Sequence, residues 1–208
     1  MAVQYNSNNN LRVSLWVSLI LFLLLSGFLL VYGKRESFLI INGWNGPLAD
    51  VFFKYYTHAG DGIMWVPFGL FCLLYKRKYL IAVILGILVS TLLTHLLKRV
   101  VFPDELRPLS YLSESFPVHE VEGVKRNYRL SFPSGHTATA FTIAILLVAL
   151  CRKKHWAFIL PLLALLAAYS RVYLGQHYVT DLIAGMAIGI VSGLFSLWIY
   201  RKWEGRKL

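Results

Sequence analysis

The feature that most constrains this chain is a series of long apolar runs almost without charge. Val13–Tyr32 holds no Asp, Glu, Lys or Arg. A helix needs about 20 apolar residues to cross the roughly 30 Å hydrocarbon core of a bilayer. Five further runs follow: Ile63–Tyr75, Tyr79–Leu97, Gly135–Cys151, Trp156–Leu174, which alone carries a charge, Arg171 close to its end, and Leu182–Tyr200. The first of these five contains Pro67 and reaches spanning length only if Ala59–Gly62 joins it. None of the runs alternates polar and apolar residues as a transmembrane strand does. The pattern predicts an all-α polytopic membrane protein, a bundle of six transmembrane helices forming a single domain over 1–208.

Composition agrees. The chain is 57% hydrophobic and 15% charged, with a mean hydropathy of +0.59. Ordinary soluble domains lie nearer 45–50% and about 25%. Disorder, a coiled coil and a soluble globule are thereby excluded. The first run is long for a secretory leader and no small-x-small cleavage site follows it, so it is read as a retained helix. The asparagines at Asn6 and Asn8–Asn10 read as a frayed terminus. Cys72 and Cys151 both lie in apolar runs and read as small hydrophobes.

The net charge of +11 does not imply nucleic acid, because no basic stripe sits on a soluble face. Its distribution instead predicts orientation. Lys76, Arg77 and Lys78 separate two runs, Arg152, Lys153 and Lys154 separate two more, and Arg201, Lys202, Arg206 and Lys207 close the chain. Dense cations in short loops mark the cytoplasmic side. Both termini are then expected on the cytoplasmic side. Residues 33–62, 98–134 and 175–181 lie outside, and so do nine of the ten acids. Residues 38–60, with Trp44, Phe52, Phe53, Tyr55 and Tyr56, read as an amphipathic segment at the outer interface.

The polar residues of interest gather at helix ends on that outer, periplasmic side. They are Lys98, Arg107-Pro108, Pro133-Ser134-Gly135-His136, Ser170-Arg171, His177 and Asp181. Cations so near hydrocarbon are costly unless paired or functional. Snorkelling would account for Lys98 or Arg171 alone, but not for every cluster falling on one side. Lys98, Arg107 and Arg171 suit a phosphoryl group, the arginines by bidentate contact. Ser134 and Gly135 open a helix, where unpaired N–H groups and the dipole favour an anion. His177 and Asp181 are four apart and share a face if their helix starts at or before His177. The carboxylate would then orient the imidazole as a nucleophile. His136 is a candidate general acid. A metal bound by His136, His177 and Asp181 is disfavoured by the surrounding cations.

Ser170-Arg171-x5-His177-x3-Asp181 and Pro133-Ser134-Gly135-His136 resemble the third and second signatures of the type 2 phosphatidic-acid phosphatase superfamily. The likeness covers about residues 50–200, with core motifs over 98–181. It implies a phosphatase that needs no metal or other cofactor and acts on a membrane lipid. In it the match to His177 forms a phosphohistidine, the match to Asp181 supports it, and the match to His136 protonates the leaving group. The matches to Lys98, Arg107, Ser134, Gly135 and Arg171 hold the phosphate. The first signature departs from the family's Lys-x6-Arg-Pro: eight residues separate Lys98 from Arg107 and seven separate Arg99 from it. Lys98 is preferred for the lysine's role. Undecaprenyl pyrophosphate, phosphatidylglycerol phosphate, phosphatidic acid and a lipid A phosphate are the substrates considered. Transfer to an acceptor lipid and membrane transport are the alternatives.

Other polar residues receive plainer readings. His95 is expected to be buried and hydrogen-bonded. His58 and Asp61 are read as interfacial, with substrate contact the alternative. His119 and His155 are expected in solvated loops, and Glu114, Glu120 and Glu122 to make the outer loop polar. Gly185 and Gly189 form a Gly-x3-Gly step, read as close packing inside the bundle rather than dimerisation.

Overall fold

The computed structural model describes residues 2–112 and 115–205; Glu114, Arg206 and Lys207 lie outside them. Eight α-helices in chain order make up most of the described chain: α1 (Ala2–Gly43), α2 (Pro47–Tyr56), α3 (Trp65–Tyr75), α4 (Leu80–Leu96), α5 (Pro108–Tyr111), α6 (Gly135–Leu150), α7 (Trp156–Tyr173) and α8 (Val179–Gly205). Extended pairing among the described residues is limited to one bridge, Leu106 with Arg129. Among the described residues, four stretches are long and apolar enough to cross a membrane: Asn8–Gly43, Arg77–Val101, Trp156–Tyr173 and Val179–Gly205. Two shorter apolar helices, Gly62–Tyr75 and Gly135–Leu150, accompany them.

Helix α6 is the axis. It is apolar all round, as a helix enclosed on every side must be. Phe141, Ile145, Leu146 and Val148 are fully buried against α4, α7, α8 and α1. At only 16 residues it is about 24 Å long. The outer surface is the inverse of a soluble protein's. Leu30, Val31, Trp44, Leu48, Val66, Leu92 and Val100 are all more than 60% exposed. Apolar exposure on that scale fits a lipid-facing surface.

Several boundaries differ from the sequence reading. Helix α1 continues to Gly43 rather than stopping at Tyr32, but it is broken at Gly33, where φ is +74°. Glycine alone takes that conformation without strain. Beyond the break, Phe38 is fully buried and packs edge-on to Tyr178. The N-terminal asparagines are helical, and Asn10 is buried, donating from Nδ2 to the Cys151 carbonyl at 2.9 Å. Ala59–Gly60 does not extend α3: a 3₁₀ turn over Thr57–Gly60 ends at Asp61, whose backbone is extended. His119 is not a solvated loop residue. Its Nε2 lies 2.7 Å from Asp50 Oδ1, and its backbone N–H donates to Asn42 Oδ1. Burial pushes the Asp50 carboxyl up, but hydrogen bonds from Tyr173 and His119 outweigh it and hold the group below its ordinary range. Asn42 also donates to the Tyr173 carbonyl at 2.8 Å, so this buckle ties α1, α2, α7 and the outer loop together. His95 is exposed, not buried, and lines a small cavity described below.

Candidate active site

The predicted site residues converge at one end of the bundle, around the starts of α6 and α8 and the end of α7. Arg171 leaves the last turn of α7. The chain then turns through Gly175, where φ is +67°, and returns as α8. Backbone N–H groups of Gln176 and His177 donate to the Arg171 carbonyl, at 2.8 and 3.2 Å, closing the turn. Helix α8 starts at Val179, after His177, so the i,i+4 argument as framed does not hold. The pair nevertheless meets, because the turn curls His177 back over the helix end. His177 Nδ1 lies 3.1 Å from Asp181 Oδ2. Both side chains are buried, with exposures of 2% and 0%.

Asp181 is saturated with donors. Its Oδ2 accepts from Ser131 Oγ at 2.5 Å and Tyr178 N–H at 3.1 Å, and its Oδ1 accepts from Thr180 Oγ1 at 3.0 Å. A carboxylate so supplied is an acceptor only, so His177 Nδ1 carries the proton and Nε2 keeps its lone pair. Burial first, then the positive charges of Arg107, Lys98 and Arg171, pushes His177 well below the ordinary histidine range. The ring is therefore neutral at pH 7.

Three cations surround this pair. Arg171 is buried; its Nη1 donates to Thr57 Oγ1 at 2.8 Å. Among the described residues its Nε has no hydrogen-bond partner. An orphan charged donor at such depth is costly unless an anion completes it. Arg107 is anchored by backbone carbonyls: Nε donates to Arg129 at 3.0 Å and Nη1 to Gln176 at 3.0 Å. Lys98 lies in the π-helical turn Leu97–Val101 that ends α4, within electrostatic reach of Arg107, Asp181 and Arg171. Arg99 beside it is exposed. The longer first motif is thus accommodated by a turn that keeps Lys98, not Arg99, against the site. Lys98→Ala should lower kcat/KM about 100-fold while Arg99→Ala stays within about 3-fold, read by phosphate release. Comparable losses in both would reverse the assignment.

Ser134 caps α6. Its Oγ accepts from Thr137 Oγ1 at 2.9 Å, and its backbone N–H donates to the Asp181 carbonyl at 3.0 Å. Its N–H is therefore engaged, and what it still offers an anion is the hydroxyl. Gly135 and His136 follow in the first helical turn, where N–H groups lack intrahelical acceptors. The His136 side chain is 28% exposed, and its Nε2 lies 4.0 Å from Asp61 Oδ2.

Sequence reasoning missed the supporting residues. Thr57 holds Arg171, Ser131 holds Asp181, and Gln176 pins Arg107. Gln176 Oε1 also accepts from Asn127 at 2.9 Å, tying the outer loop to the site. Its place beside His177 was the only available signal. Thr57 and Ser131 lie 114 and 50 residues from their partners, beyond any local pattern.

An all-helical, membrane-type bundle that gathers a buried His–Asp pair, a second histidine and three cations defines an enzyme of phosphoester hydrolysis. The family comparison is consistent with this: residues 63–204 match the PAP2 superfamily, and the chain belongs to it. The chain is 30% identical to a lipid A 4'-phosphatase of Porphyromonas gingivalis over 83% of its own length and 76% of the relative's. It is 29% identical to an undecaprenyl-diphosphatase of Sulfolobus acidocaldarius, covering 84% and 85%. The crystal structure of Aquifex aeolicus LpxE superposes with a TM-score of 0.70 at 35% identity, over 79% of this chain and 94% of that one.

Proposed function

We propose that this chain is an integral membrane lipid phosphatase that removes a phosphate from a lipid head group through a phosphohistidine. The observation that carries the reading is the buried His177–Asp181 contact of 3.1 Å among Lys98, Arg107 and Arg171. His177 Nε2 attacks phosphorus, the P–N bond forms, and the bond to the leaving oxygen breaks. His136 gives its proton to that oxygen. Arg171, Arg107, Lys98, the Ser134 hydroxyl and the first N–H groups of α6 hold the non-bridging oxygens. Water then attacks phosphorus with His136 as base, and His177 is released with inorganic phosphate. The cations repel a divalent metal and do its electrostatic work, so no metal is needed.

The relatives' names and the apolar surround support a lipid phosphate as substrate, with undecaprenyl pyrophosphate, phosphatidylglycerol phosphate, phosphatidic acid and a lipid A phosphate as the candidates. Six membrane crossings, with α3 and α6 short, both termini cytoplasmic and the site at the periplasmic face of the inner membrane, fit the loop charges. The lipid then reaches the site sideways from the outer leaflet.

The test is phosphate release from a panel of these lipids in detergent with excess chelator. Release should persist undiminished. Release that requires an added divalent cation would overturn the metal-free reaction, and release from none of the lipids would overturn the assignment to lipid phosphates.

A further inference from the structure

The short segment Thr57–Asp61 lies outside all three sequence signatures of the site, yet it touches two of the site's working groups. Thr57 Oγ1 accepts from Arg171 Nη1 at 2.8 Å, and Thr57 is itself buried. Three residues on, Gly60 packs onto His136 so closely that a Cβ there would lie 2.9 Å from the His136 carbonyl oxygen and 3.1 Å from its Cβ. No other residue fits without moving one of the two backbones. The next residue, Asp61, places Oδ2 at 4.0 Å from His136 Nε2 and 3.7 Å from His58 Nδ1. A cavity of about 170 Å³ opens beside this contact, lined by Asp61, Ser90, Thr94, His95, His136 and Thr139 among others.

Resting on the phosphatase reading above, we propose that Thr57, Gly60 and Asp61 form a positioning element, with Asp61 the carboxylate partner of His136. The two histidines of the site then have one carboxylate each. Asp181 holds His177 as a neutral nucleophile, and Asp61 holds His136 as a protonated acid. The difference lies in the surroundings. Asp181 is fully enclosed, whereas Asp61 is 43% exposed and can reach His136 directly or through one water. Catalytic hydrogen bonds of this kind are often long before substrate binds.

The charge balance around His136 explains why it needs a partner. From α7 it faces Arg171, from the outer loop Arg107, from the link before α8 His177, and from α4 His95 across the cavity. The described carboxylates near it are Asp61 and, behind His177, Asp181. A general acid must carry a proton to the leaving oxygen, and a carboxylate close to Nε2 favours the protonated ring against these positive neighbours.

The experiment compares Asp61→Asn, Asp61→Glu and Thr57→Val with wild type, on whichever lipid of the panel the wild type hydrolyses fastest. Asp61→Asn should lower kcat roughly 10-fold with little change in KM. The alkaline limb of its kcat–pH profile should move to lower pH by about 1 unit, because the acid form is lost sooner. Asp61→Glu should restore part of both. Thr57→Val should act differently, raising KM and the inhibition constant for inorganic phosphate while leaving the limb in place. A wild-type limb and a kcat within about 2-fold in Asp61→Asn would overturn the proposal, as would a loss in KM alone. An unfolded Asp61→Asn, judged by its elution in detergent, would show a structural role and overturn it too. A wild type inactive on every lipid would instead bring down the phosphatase reading, and this inference with it.

Discussion

His177→Ala should lower phosphate release by at least about 10⁴-fold with no change in elution or thermal stability in detergent. The side chain is enclosed, but Asp181, the side chain it hydrogen-bonds, keeps donors from Ser131, Tyr178 and Thr180 when the imidazole is gone. The variant therefore loses the nucleophile and little of the fold. Asp181→Asn should fall less far, because the nucleophile survives in a less favourable tautomer. The pH dependence carries a sign that can be checked. In the proposed reaction His177 works as the neutral ring, and burial together with Arg107, Lys98 and Arg171 depresses its pKa. The acid limb of kcat/KM assigned to the enzyme should lie below the ordinary histidine value of about 6.5. Activity should hold as pH falls through that value and fail only further down. Arg107→Gln removes one of the depressing charges, so its limb should move upward. A limb at or above 6.5 in the wild type, or substantial turnover by His177→Ala, would remove the phosphohistidine from the mechanism.

That His177 and Asp181 belong together was legible because the contact is local. Four residues is one helical turn, and even with α8 starting late the pair meets across the same turn. Lys98, Arg171 and Ser134-Gly135-His136 were legible for a related reason: each ends or opens a helix whose limits the apolar runs define. The bundle was readable from hydropathy alone, because lipid demands long charge-free helices. Helix α3 was the exception. Its apolar run is short, and the extended backbone at Asp61 separates it from the turn that supports Arg171 and His136.

What escaped the sequence depends on distant contacts. His119 looked solvated because its neighbours are polar, yet Asp50 and Asn42, about 70 residues earlier, enclose it. His95 looked buried because it sits in an apolar helix, yet it faces a cavity formed with the Asp61 segment and α6. Helix α1 ran past its expected end because Gly33 admits a break that leaves Phe38 to be buried by Tyr178. None of these outcomes has a periodic signature, so none could be read from one chain.

Gly189→Leu should disable the enzyme through packing alone. Glycines at 185, 189 and 193 recur every four residues and so share one face of α8. A Cβ at Gly189 would lie 2.6 Å from the Ala138 carbonyl oxygen and 2.7 Å from Phe141 Cβ. At Gly185 it would lie 2.6 Å from the Ser134 carbonyl oxygen, and at Gly193 2.8 Å from Ile145 Cβ. All of these neighbours belong to α6 or its cap in the same chain, so the stripe is spent inside the bundle, as the Gly-x3-Gly reading expected. The close approach is also what brings the α6 opening, with Ser134 and His136, against Asp181 at the start of α8; the Ser134 N–H to Asp181 carbonyl bond is part of it. A leucine has no space there, and overpacking of this kind costs about 3 kcal/mol or more. Thermal unfolding in detergent should show a large loss, and phosphate release should drop at least about 100-fold although no catalytic group has changed. Gly27→Ala is the matched comparison. Nothing lies within 4 Å of a Cβ at Gly27, so the change should be neutral or stabilising by up to about 1 kcal/mol through helix propensity. If Gly189→Leu melts like wild type and keeps its activity, α6 and α8 do not touch as described, and the geometry that joins Asp181 to Ser134 falls with them.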